Sequence, residues 1–215
     1  DYETKASYSF TVVATDAANN ASEQTVTLAI NDLVDETAPT VSSIAISSAS
    51  GVQSSTLNAG DVVSVTVTMD EATVIDTTGG TPRVALNIGG STVYADYVSG
   101  SGSTALVFQY TILAGQTDVN GISLDANALQ ANGATMRDAA GNAANLTHGV
   151  VADNAGYLVD TTAPSFTSGT AATAIDENSG TAQIVYTAAS TDAGTVTYSL
   201  KPGADAALFS INATT

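Results

Sequence analysis

Carboxylates recur where the chain repeats itself. The hexapeptide Val-Asp-x-Thr-Ala-Pro occurs at residues 34–39 and again at 159–164, so Asp35 and Asp160 hold the same place in two copies of one joint. Proline lacks an N–H and drives the residue before it into an extended conformation, so each Ala-Pro reads as a joint between domains. Around the first copy Asp32, Asp35 and Glu36 crowd together, and Glu3, with Asp1 behind it, is a further candidate. Two like charges about 4 Å apart repel by roughly 1 kcal/mol in water and by more when partly desolvated, so such a group either splays open or holds a cation. Calcium, which takes about six to eight oxygens from carboxylates, carbonyls and water, matches the donor set. At the second copy Asp160 is the candidate, with Glu177 and Asp192 contributed from the segment that follows. The plain alternative is that these are solvated acids.

Between the joints, Glu71, Asp118, Asn120, Asp138 and Asn142 are read as loop residues. Asp118-Val119-Asn120-Gly121 and Asp138-Ala139-Ala140-Gly141-Asn142 place oxygen ligands around a glycine turn. That arrangement suits calcium. It equally suits an Asx turn, in which the side chain bonds its own backbone, and the sequence leaves both readings open.

Composition limits the function classes. With 21 acidic residues against 4 basic ones and a formal charge of −17, the chain repels nucleic acid and anionic membrane. It has no cysteine and a single histidine, His148, so thiolate chemistry is absent and Ser-His catalysis or a zinc site would rest on one residue. No enzyme is expected. Sugar-binding sites are commonly built on aromatic platforms, and the chain has no tryptophan. No run of about 18 apolar residues could span a bilayer, and the first residues alternate like a strand rather than a leader peptide, so an internal piece of a soluble exported protein is expected.

The elements that must position these groups are strands. Val63, Val65, Val67 and Met69 alternate with polar residues, as do Leu106, Phe108, Tyr110 and Ile112, giving strands with one buried face. Val84, Leu86 and Ile88 run into Gly89-Gly90 and return through Val93, Ala95 and Tyr97, the pattern of a tight hairpin. Leu124–Gln130 is the one helical candidate. Further strands are predicted at 8–14 and 26–30, and at 184–186, 196–200 and 208–211. Short strands separated by turn residues predict a β-sandwich for the central unit, 37–160.

Two resemblances cover nearly the whole chain. Residues 161–215 resemble the N-terminal part of a bacterial cadherin-like domain, through Ile175-Asp176-Glu177-Asn178-Ser179-Gly180, Val196-Thr197-Tyr198-Ser199-Leu200 and 205–211. Residues 1–36 resemble the C-terminal part of such a domain, through Asp1-Tyr2-Glu3, Val13-Ala14-Thr15-Asp16 and the 32–39 stretch. In that family Asp16 would share a pole with Glu177 and Asp192. Val34, and Ser190-Thr191-Asp192, depart from the family's ligand pattern, which implies fewer ions than a full cluster of three. The central unit resembles a bacterial immunoglobulin-like, Greek-key repeat of giant surface adhesins of the repeats-in-toxin type, through 59–63, 69–72, 106–110, 114–118 and Asp138-Ala139-Ala140-Gly141-Asn142.

The resemblance implies a calcium-rigidified extender that projects a distal ligand-binding domain from the bacterial surface after type I secretion. Its partners would be neighbouring repeats. Self-association of the two complementary half-domains, as a ligand-binding or homophilic module, is the alternative expectation.

Overall fold

The computed structural model describes residues 7–29, 35, 37–192, 194–203 and 205–211. The fold is all-β with β-sandwich character. Its elements in chain order are β1 (Ser7–Thr15), β2 (Ala21–Ala29), β3 (Val41–Ser50), β4 (Thr56–Leu57), β5 (Val62–Asp76), β6 (Arg83–Ile88), β7 (Ser91–Ser99), β8 (Ser103–Thr111), β9 (Thr117–Asp118), β10 (Leu129–Gln130), β11 (Thr135–Arg137), β12 (Leu158–Asp160), β13 (Ser165–Phe166) and β14 (Ser190–Thr191). The helical candidate Leu124–Gln130 is not a helix: its last two residues form β10, paired antiparallel with Arg83 and Val84 of β6. Among the described residues the only helical piece is a single 3-10 turn at Ala206–Leu208.

The central unit is built from a seven-stranded antiparallel sheet, ordered β10-β6-β7-β8-β5-β11 with β3 also on β5, and a small sheet ordered β4-β12-β9. Period-two alternation places Val63, Val65 and Val67 of β5 opposite Tyr110, Phe108 and Leu106 of β8. These valines, with Leu106 and Phe108, are fully buried, and Leu57 of β4 and Val159 of β12 join the same core. Tyr97 meets Phe108 edge to face at 5.7 Å between ring centroids.

The long strand β5 changes partners partway along. Its ladder to β8 shifts register between Thr68 and Thr73, and its last residues, Val74–Asp76, pair instead with β11. Met69–Ala72 occupy the irregular stretch. Such irregularities redirect side chains and often lie beside functional sites.

The predicted hairpin is present, with β6 and β7 paired from Ile88↔Ser91 to Arg83↔Asp96. Gly89 and Gly90 take φ of 56° and 82°, the left-handed pair that a two-residue turn demands. A Cβ on Gly89 would also lie 2.0 Å from the Thr117 carbonyl oxygen. Gly89→Ala is therefore expected to destabilise the unit by more than about 1 kcal/mol, seen as a lower urea midpoint with an unchanged m-value.

The flanks are different in kind. β1 and β2 pair along their whole length, from Ser7↔Ala29 to Thr15↔Ala21, yet every residue is exposed except half-buried Val26. Among the described residues after β12 the only strand pairing is the two-residue pair β13–β14. The strands predicted at 184–186, 196–200 and 208–211 do not form, and Leu208 closes the 3-10 turn. The alternation is there, but a strand needs a neighbour for its backbone N–H and C=O groups.

Candidate metal centre

The first joint is fastened to the central unit. Pro39 is buried, and its carbonyl accepts the Asn145 N–H at 2.8 Å. Thr40 donates its N–H and its hydroxyl to the two carboxylate oxygens of Asp70, at 2.7 and 2.6 Å, and its carbonyl accepts the Asp70 N–H at 3.0 Å. Asp70 lies in the irregular stretch of β5, so the break in the ladder frees a backbone and a side chain to grip the incoming chain. Upstream, the Asn142 side-chain amide donates to the carbonyls of Asp35 at 2.6 Å and Thr37 at 3.3 Å.

Beside this clasp three carboxylates converge. Oxygens of Asp35 from the joint, Glu71 from the β5 irregularity and Asp138 from the turn after β11 all lie within 4.8 Å of one another. Asp138 is buried, Glu71 half-buried and Asp35 exposed. The Asp138 turn is self-supporting: its Oδ1 accepts the Asn142 N–H at 2.8 Å and its Oδ2 the Asn142 amide at 2.7 Å. Arg137, next to it in the chain, spends a guanidinium N–H on the Gly141 carbonyl at 2.7 Å.

The electrostatics of the trio are strained. Burial first, then the charges of Asp35, Asp138 and Asp70, push the Glu71 carboxyl above its ordinary range. Burial also acts to raise Asp138, but donors from the Asn142 side chain and the backbone of Asn142, Gly141 and Ala140 outweigh it and hold that carboxyl low. Asp70 is held low by the Thr40 hydroxyl and N–H. The group thus keeps charge at Asp138 and Asp70 while penalising it at Glu71, and a cation would relieve that conflict. Three hard oxygen donors, with no sulfur or imidazole among them, fit calcium or a similar hard cation.

The other sequence candidates fall elsewhere. Asp118 is buried, and its oxygens accept N–H groups of Gly89 at 2.8 Å, Gly121 at 2.8 Å and Asn120 at 3.2 Å, an Asx turn that also ties down the β6–β7 hairpin. The Asn120 amide donates to Asp153. Asp16 takes the Asn20 N–H at 2.8 Å, the Ala18 N–H at 2.9 Å and the Asn20 amide at 2.9 Å. Asp160 Oδ1 accepts the Thr162 N–H at 3.0 Å, just as Asp35 Oδ1 accepts that of Thr37 at 2.9 Å. Glu177 and Asp192 are exposed, and among the described residues only the Asp35 trio forms a carboxylate cluster. Asp1, Glu3, Asp32 and Glu36 lie outside the described residues.

Sequence reasoning placed Asp35 and Asp138 in separate sites and Glu71 in a loop. Glu71 is in β5 and Asp118, also read as a loop residue, ends β9; Asp35, Glu71 and Asp138 belong together. The available signal was a charged pair, Asp70-Glu71, interrupting the alternation of β5. His148, the one histidine, accepts the Leu129 N–H at Nε2 (3.1 Å) and bonds the Gly149 carbonyl through Nδ1 (2.7 Å). No helix among the described residues is long and apolar enough to cross a membrane. No protein-family model, curated protein or solved structure matches this chain.

Proposed function

We propose that this chain is a calcium-stiffened spacer from the extender region of a large exported bacterial surface adhesin of the repeats-in-toxin type. The observation that carries the reading is the joint itself. Asp35, a linker residue, shares one carboxylate cluster with Glu71 and Asp138 of the following unit, while Asn142, Asn145 and Asp70 hold the linker backbone. A cation bound there would draw linker and domain together. At about one hundred times its dissociation constant it adds roughly 2.7 kcal/mol to the bound arrangement, enough to bias a joint between bent and extended states. The partners are the adjoining repeats of the same chain, and the strong acidity argues against nucleic acid and anionic lipid.

Small-angle scattering tests the proposal. Calcium is expected to give a longer maximum dimension than chelator, and superimposable curves would sink the spacer reading. Homotypic association is a second reading, favoured by one feature of the β1–β2 hairpin. The exposed Phe10, Val12 and Leu28 share one face of it. Sedimentation that stays monomeric up to millimolar concentration would dispose of that alternative.

A further inference from the structure

Two turns of this chain are copies of one another. Asp16-Ala17-Ala18-Asn19-Asn20-Ala21 and Asp138-Ala139-Ala140-Gly141-Asn142-Ala143 differ only at Asn19 against Gly141, and those two residues share the left-handed conformation, φ 64° and 97°. The hydrogen bonds coincide. Asp16 N–H donates to the Asn20 carbonyl at 3.0 Å and Asp138 N–H to that of Asn142 at 3.2 Å. In each turn the aspartate Oδ1 accepts the asparagine N–H at 2.8 Å, and Oδ2 accepts the asparagine amide, at 2.9 and 2.7 Å. Each turn stands upstream of one copy of the hexapeptide.

They differ in what they hold. Asn142 also grips the linker carbonyls of Asp35 and Thr37, whereas exposed Asn20 gives its amide to Asp16 alone among the described residues. The two hexapeptides differ in the complementary way. Pro39 is buried against the central unit, while Thr162, Ala163 and Pro164 are exposed. Asp160 has already closed the same Asp-x-Thr turn onto Thr162 that Asp35 closes onto Thr37, so the carbonyls of Asp160 and Thr162 stand in the local turn that Asn142 recognises in the first copy.

We propose that the Asp16–Asn20 turn is a second linker clasp, and that its ligand is the Asp160–Pro164 segment of another copy of this chain. Clasp and ligand are both preformed, which lowers the ordering cost of their meeting. The contact joins two different surfaces, so it propagates head to tail instead of closing a two-fold dimer. It rests on amide-to-carbonyl hydrogen bonds and does not need the cation. A pair of such bonds between free molecules is weak, and tethering in a tandem chain strengthens it through effective concentration.

The test is a titration of the full ¹⁵N-labelled chain, in chelator, with the peptide Val-Asp-Thr-Thr-Ala-Pro. The Asn20 side-chain amide and the Ala18 N–H are expected to shift saturably, while the occupied Asn142 amide stays still. In Asn20→Ala the Ala18 shift is expected to vanish. A peptide with alanine for the aspartate, which lacks the preformed turn, is expected to bind several-fold more weakly. An absence of saturable shifts at Asn20 and Ala18, or equal shifts with a scrambled peptide, would overturn the proposal.

Discussion

Glu71→Gln is expected to change the sign of its effect with the metal. In chelator the variant melts higher than the wild type, and in saturating calcium it melts lower. The first half follows from the carboxyl held above the ordinary glutamate value of 4.5 by burial and by Asp35, Asp138 and Asp70. The folded state then binds the Glu71 proton more tightly than the unfolded chain does. Stability in chelator falls as pH rises from about the ordinary value through the raised one, and the penalty is complete above that window. Glutamine carries no such penalty, so the variant's melting temperature stays flatter there.

Below that window the aspartates take over. Asp138 and Asp70 are held below the ordinary aspartate value of 3.8, so both proteins lose stability as pH falls through those lowered values. The second half of the expectation concerns the bound ion. Calcium converts the Glu71 charge from a cost into a ligand, and its loss should weaken binding by at least the roughly 10–100-fold that removing a mere supporting group brings. Thermal scans of both proteins, with calcium and with chelator across pH 3.5–7, check this. Parallel shifts in the two conditions would show that the trio holds no cation.

Asp118→Ala should produce the largest loss of stability of any acidic substitution in the central unit, and the loss should be the same with calcium and with chelator. Asp118 is 3 % exposed and accepts three backbone N–H groups, from Gly89, Gly121 and Asn120. Alanine leaves the buried Gly121 N–H without its acceptor, at about 1–3 kcal/mol, and the partly buried Gly89 and Asn120 donors, which water can reach, add less, so a loss of about 2–3 kcal/mol is expected. For a domain of this size that is a drop of roughly 10 °C. The two loops that looked alike as calcium candidates are thereby separated: Asp118 braces a hairpin, and Asp138 faces other acids. A calcium-dependent Asp118→Ala phenotype would reverse the assignment.

What the sequence revealed depended on the range of the interaction. Alternation in β5 and β8 and the Gly89-Gly90 turn are local patterns, and they identified buried faces and a hairpin directly. The joint was legible because proline and a repeated hexapeptide punctuate the chain. The carboxylate trio was not, because Asp35, Glu71 and Asp138 become neighbours only when β5 breaks its ladder and β11 pairs beyond the break. No spacing rule encodes that meeting. The C-terminal strands failed for a complementary reason: Ile184, Tyr186, Leu200 and Ile211 carry the right alternation but remain exposed, because alternation specifies a face and not the neighbour that pairs with it. The turn shared by Asp16 and Asp138 was visible as a plain sequence repeat, and its meaning needed the linker seen in the grip of Asn142.

The most direct test of a cation at the joint is calorimetric titration of calcium into the full chain, beside Asp138→Asn and Asp35→Ala. A saturable site is expected in the wild type. It should be weakened or lost in both variants, and unchanged in Glu177→Gln, whose exposed carboxylate belongs to no cluster among the described residues. Wild-type binding that survives both substitutions would place calcium elsewhere, and an absence of saturable binding in the wild type would contradict a calcium-held joint.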